Sequence, residues 1–203
     1  MKTLSYHNDK ILKRDIISEM KIHEKQDGII KGTYSKMNGV FKGCAIGCGV
    51  ESLNKKRGLS LKHDNHATYS EALGIPEWLA RLEDSIFEGL DEKEAKTFPV
   101  QFLKAIPIGV NLDVVQFKFK KFLLKENFER VEKLKIDQKL KDQVLKAIDL
   151  VIGVVDGAIK VGKIDDSAAR SAESAARSAE SVARPAAFRR YAKELLRLLK
   201  EAK

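Results

Sequence analysis

Apolar residues recur along this chain at two spacings, and the change of spacing marks the elements. Over residues 9–26, Ile11, Leu12, Ile16, Ile17 and Met20 fall three and four apart with lysine and glutamate between them. That predicts an amphipathic helix, stopped by Asp27-Gly28. From Ile29 the pattern changes: Ile29, Ile30, Thr33, Tyr34, Val40, Phe41 and Ile46 favour extended chain, and Asn38-Gly39 between them is a hairpin signal. The reading is a small β-hairpin whose second arm runs into a Gly-Cys turn, with a polar, basic loop over 50–65.

His66 to Leu73 predicts a helix stopped by Gly74, and Pro76 opens another with Trp78, Leu79, Leu82, Ile86 and Phe87 as its apolar face. Residues 91–104 read as helical with a break before Pro99, and Ile106-Pro-Ile-Gly109 as a connector. Leu112–Leu124, Phe128–Leu134 and Lys139–Lys160 carry further helical spacing, the last loosened by Gly153 and Gly157. Beyond them Ser167-Ala-Ala-Arg-Ser-Ala-Glu173 repeats as 174–180 and loosely as 181–187. The alanines at 169, 172, 176, 179, 183 and 186 form an a/d seam of a helix in close contact with a partner. Pro185 ends or kinks it, and Phe188, Tyr191, Leu195, Leu198 and Leu199 continue as a more apolar helix. The expected fold is mainly α, a helical bundle-like domain over 1–164 with a small β-hairpin near the Gly-Cys turn. The C-terminal helices of 165–203 are expected to pack on it or on a second subunit.

Composition narrows the class. With 203 residues, 43% hydrophobic and 33% charged, the chain can bury a core and is not expected to be disordered. A net charge of +9 favours anionic partners, although it also fits lysine-covered helices in water. Two cysteines do not make a secreted disulfide scaffold. The N-terminus lacks an apolar signal core. The most apolar run, Ile148–Val161, is too short for a bilayer. The expectation is a cytoplasmic protein with no membrane partner.

Candidate chemistry gathers between residues 34 and 84. Cys44 and Cys48 with His63 and His66 supply the ligand types that zinc takes, but C-x3-C and H-x2-H depart from the usual spacings. The alternative is two buried cysteines in a glycine-rich turn beside hydrogen-bonded histidines. A thiolate activated by His66 is a further option, without an evident third residue. Gly43, Gly47 and Gly49 either cradle phosphate or mark a tight turn. No P-loop and no G-x-G-x-x-G opening a helix is present, nor a recognisable nucleic-acid module. Trp78 with Arg81, Glu83 and Asp84 either stacks a ring or packs in the core, and His66 with Tyr69 and Glu71 carries the same ambiguity. Arg170, Arg177 and Arg184 form one stripe, suited to phosphates or to pairing with Glu173 and Glu180.

Gly32-Thr-Tyr34, Gly43 to Cys48, His66, Tyr69, Leu73 to Pro76, Leu79 to Asp84, Ile86 to Leu90 and Ala105 to Gly109 together follow one motif. It resembles that of a largely uncharacterised family encoded by phages and bacteria, with alanine-rich tails. Some of its relatives are labelled immunity proteins. The match covers about the first 115 residues; the loop between Cys48 and His63 is longer and more basic than the family form. The resemblance, the basic charge and the lack of a catalytic set lead to one expectation. It is a phage-type counter-defence protein, not an enzyme and without a cofactor, that sequesters a small anionic nucleotide-derived immune signal in the host cytoplasm. Its expected ligand-binding residues are Tyr34, Gly43, Cys44, Gly47, Cys48, His66, Tyr69, Trp78, Arg81, Arg170 and Arg177. Self-association and a host defence protein as a further partner belong to the same expectation. The alternatives are an inhibitor acting by protein–protein contact and a Cys- or metal-dependent hydrolase.

Overall fold

A computed structural model of the protein describes residues 3–161 and 185–203. The fold is mainly helical with one two-stranded antiparallel hairpin. In chain order the elements are α1 (Lys10–Lys25), β1 (Lys36–Asn38), β2 (Val40–Lys42), α2 (Ala45–Arg57), α3 (Ala67–Leu73), α4 (Glu77–Gly89), α5 (Glu92–Ala105), α6 (Asp113–Glu132), α7 (Gln138–Val161) and α8 (Pro185–Lys200). They form two units, residues 1–112 with 184–203, and residues 113–183.

The first unit holds α1–α5, the hairpin and α8. Asp9 caps α1, its carboxylate accepting from the Ile11 and Leu12 amides at 2.7 and 3.1 Å. The hairpin turns at Gly39, with Met37 opposite Phe41, as Asn38-Gly39 predicts. The Gly-Cys stretch is the first turn of α2 and not an irregular turn. This helix runs to Arg57, so the basic loop predicted over 50–65 begins only at Gly58, whose left-handed conformation ends the helix. Lys55, Lys56 and Arg57 occupy its last turn, where cations suit the helix dipole. Lys55 and Lys56 also hold the buried Glu19 of α1 at 2.9 and 3.0 Å. Proline does not break α5: the helix passes through Pro99, and the buried Phe98, Val100, Phe102 and Leu103 outweigh the one lost hydrogen bond.

α4 occupies the middle of the unit, packed against α2, α3, α5 and α8. Leu79, Ala80, Glu83, Ile86 and Phe87 face the core with no exposed surface. α8 lies on α4 and α5, and the Phe188 ring occupies the space that a side chain at Gly89 would need. Before α1, Tyr6, His7 and Asn8 all take left-handed conformations, at φ 53, 49 and 60°. Such residues cost about 1–2 kcal/mol each. Ser5 and Tyr6 offset the cost: Ser5 Oγ donates to Pro107 O at 2.6 Å and accepts from Val110 N at 3.0 Å, and the Tyr6 hydroxyl donates to Leu103 O at 2.5 Å.

The second unit, among the described residues, is the α6–α7 pair. Phe117 and Leu124 of α6 meet Val155 and Ala158 of α7, with Ile148, Val151, Ile152 and Ile159 around them. Lys121 pairs with Asp156 across the two helices. Gly153 and Gly157 do not interrupt α7; both lie on its outer side with open space around them. No helix among the described residues is long and apolar enough to cross a membrane.

Candidate functional site

The site grows from the way residues 32–35 lie across the start of α2. Cys44 N–H donates to Thr33 O at 2.7 Å, and Gly43 N–H donates to Gly28 O at 2.9 Å. The Tyr34 carbonyl then rests directly on two glycines. A Cβ at Gly43 would lie 2.4 Å from that oxygen, and one at Gly47 1.7 Å. The glycines are therefore filled from within by the Tyr34 backbone and do not present an open phosphate cradle. Gly49 serves Tyr69 in the same way, since a Cβ there would lie 2.0 Å from the Tyr69 hydroxyl.

With its backbone seated on α2, Tyr34 reaches toward α4. Its hydroxyl lies 3.5 Å from Asp84 Oδ2, and its ring stands edge-on to His66 at 5.9 Å. His66 Nε2 donates to the same Asp84 oxygen at 3.1 Å. One turn further along α4, the Glu88 carboxylate accepts the Gly32 amide at 3.0 and 3.1 Å. Gly32, Thr33, Tyr34, Cys44, Asp84 and Glu88 enclose a cleft of about 250 Å³. Asp84 Oδ1 is buried without a hydrogen bond.

Next to this carboxylate the Cys44 thiol, which accepts from Gly47 N at 3.5 Å, is pushed well above its ordinary range by burial first and by Asp84 second. Cys48 points elsewhere, donating to Gly43 O at 3.3 Å and Gly28 O at 3.5 Å, and burial pushes it up to about 12. Both thiols stay protonated near neutral pH, the opposite of what a nucleophile needs. A disulfide reagent at about pH 8 should leave both unmodified in the folded protein and label both after denaturation. Rapid labelling of either native thiol would contradict this geometry.

The four residues with zinc-ligand chemistry do not gather at one point, and Cys48 turns to the Gly28 and Gly43 carbonyls. Cys44 and His66 belong to Asp84, while His63 binds Glu51 at 2.9 Å and its ring lies 5.0 Å from that of Phe41. No group of three or more His, Cys, Asp or Glu that could hold a metal exists among the described residues. Of the residues singled out by sequence, Tyr34, Cys44 and His66 converge on Asp84, with Gly43 and Gly47 beneath them. Arg81 stands on the same face of α4, exposed, with Glu77 at 2.6 Å. Trp78 is half-buried at the start of that helix, Tyr69 is fully enclosed and Cys48 is internal. Arg170, Arg177 and Arg184 lie outside the described residues.

Asp84, which the sequence groups with Trp78, Arg81 and Glu83 but not with Tyr34 or Cys44, is one wall of the cleft, and Glu88, which sequence reasoning did not single out, is another. Their signal was the spacing Arg81, Asp84, Glu88, one polar face of a helix whose other face is fully buried. One residue behind Asp84, Glu83 points into the core, enclosed and without a hydrogen bond at either oxygen. Burial, and then the Asp84 charge, push its pKa well upward. No family model, no curated protein and no solved structure matches the chain.

Proposed function

We propose that this is a non-covalent binding protein that sequesters a nucleotide-derived signal, with the base entering the cleft beside α4. The reading rests above all on Asp84, a mostly buried carboxylate that lines the cleft and leaves one oxygen without a donor. Carboxylates accept only, so Asp84 and Glu88 suit a ligand edge rich in N–H groups, as amino-bearing bases present. Tyr34 supplies a ring for stacking. The cleft is smaller than the ~300–1,000 Å³ typical of sites for whole drug-sized ligands. It therefore takes one ring and leaves the phosphates outside, where the exposed Arg81 and the +9 net charge favour them. The protonated thiols argue against a covalent step.

The test is calorimetry of the full chain with guanosine and adenosine monophosphates and their cyclic forms. Binding is expected for at least one, and Asp84→Asn should weaken it about 10- to 100-fold, the range for a hydrogen bond to a charged group. No heat with any of these ligands, or equal binding by Asp84→Asn, would remove the proposal's basis.

A further inference from the structure

Resting on the reading of the cleft beside α4 as a base site, we infer that it selects guanine over the other bases and that Glu88 sets the choice. Hydrogen-bond donors on its walls are already engaged. The Gly32 amide donates to Glu88. The Thr33 hydroxyl donates to Ser35 O at 3.3 Å, and the Tyr34 hydroxyl to Asp84. Cys44 adds only a thiol, a weak donor. Acceptor capacity, by contrast, remains. A carboxylate offers about four lone-pair sites. Glu88 takes one N–H, shared between its two oxygens. Asp84 takes His66 and Tyr34 at Oδ2, and its Oδ1 has no hydrogen bond. The side chains around the cleft therefore call for a ligand that donates.

Each base meets such walls differently. Guanine carries N1–H and the N2 amino group side by side on one edge. Adenine and cytosine each show an amino group beside a ring nitrogen that only accepts, and uracil sets its N3–H between two carbonyls. Asp84 and Glu88 stand one helical turn apart on the same face of α4. A ligand lone pair turned toward either carboxylate repels it, whereas an N–H bonds to it. Only guanine offers adjacent donors to such a pair. Size fits the same orientation. The N1 and N2 edge belongs to the six-membered ring, and N9, which bears the ribose and phosphate, lies on the opposite side of the base. The edge can enter a cleft of about 250 Å³ while the sugar and phosphate stay toward water.

Calorimetry of the full chain with guanosine, inosine and adenosine monophosphates tests the choice. Inosine monophosphate keeps N1–H and lacks only the amino group. Guanosine monophosphate should bind about 10- to 100-fold tighter than inosine monophosphate, the range for one hydrogen bond to a charged group, and adenosine monophosphate should bind more weakly still. Glu88→Gln keeps an acceptor for the Gly32 amide and adds a donor, and glutamine is a two-point partner of adenine. The variant should narrow the ratio between guanosine and adenosine monophosphates by about tenfold or more, with unchanged helicity, since Glu88 is only half-buried. Equal affinities, or a preference for adenosine or inosine monophosphate, would overturn the assignment of guanine and leave the cleft as a base site. No binding by any of the three would remove both. A wild-type ratio in Glu88→Gln would overturn the part given to Glu88.

Discussion

Gly47→Ala is expected to cost at least ~3 kcal/mol of stability, because its added Cβ would make the shortest approach of any among the described glycines. The new Cβ would stand 1.7 Å from the Tyr34 carbonyl oxygen and 2.7 Å from its carbon. Both obstacles are backbone, so no rotamer change relieves them. Either the 32–35 segment lifts from α2 or the first turn of α2 moves, and both release Tyr34 from Asp84. Thermal unfolding should show a Tm lower by ~10 °C or more, together with loss of whatever binding the cleft supports. Gly153→Ala is the control. Nothing lies within 4 Å of its added carbon, and a helix-interior alanine should gain about 0.5–1 kcal/mol. Similar stability for the two variants would mean that Tyr34 does not rest on α2.

Glu83→Gln is expected to make the protein more stable at alkaline pH and to flatten its pH dependence. Burial raises the Glu83 pKa in the folded state above the ~4.3 of an unfolded chain. The folded protein therefore keeps a proton that the unfolded chain releases. The contribution is fully present below pH ~4.3 and is lost as pH rises through the folded pKa. Each unit of elevation corresponds to about 1.4 kcal/mol. Urea unfolding of wild type and Glu83→Gln should differ little near pH ~4 and diverge by at least ~1.4 kcal/mol near pH ~8, the variant being the more stable. Taking the difference removes His23, whose pKa burial lowers, so that its contribution runs the other way and is lost as pH falls. Parallel curves would show that Glu83 ionises freely despite its enclosure beside Tyr6 and Tyr69, whose own pKa values burial and this carboxyl both raise.

What the sequence made legible was whatever depended on neighbours a few residues apart. The spacing of Ile11 to Met20, the Asn38-Gly39 turn, the Gly74 stop and the apolar face of Tyr191 to Leu199 each state a local preference, and each element stands where it was read. The Gly-Cys stretch was misread because its glycines look like turn residues. Their actual requirement is a carbonyl from Tyr34, laid across them by a segment whose path no local pattern encodes. Pro99 misled for the same reason: a local penalty was overridden by burial against distant residues. The site was half legible. Tyr34, Cys44 and His66 stood out by residue type and Asp84 only as a neighbour of Trp78, whereas Glu88 looked like an ordinary charge on a wet helix face. Only the fold gives that face a lid of residues 32–34.

The order in which the chain is synthesised acquires a meaning from the discontinuous first unit. Ser5 is fastened to Pro107 and Val110, so the N-terminal turn cannot close until that connector has been made. α8 comes last, and until it is made Gly89, Leu90 and Phe98 lack the Phe188 and Ala192 surfaces that cover them. The α6–α7 pair needs only neighbours close in sequence and can form while the first unit still waits for its final helix. A chain truncated after α7 would therefore keep an intact helical hairpin but an open first unit. Premature termination or proteolytic trimming near the end would damage the cleft-bearing half of the molecule first.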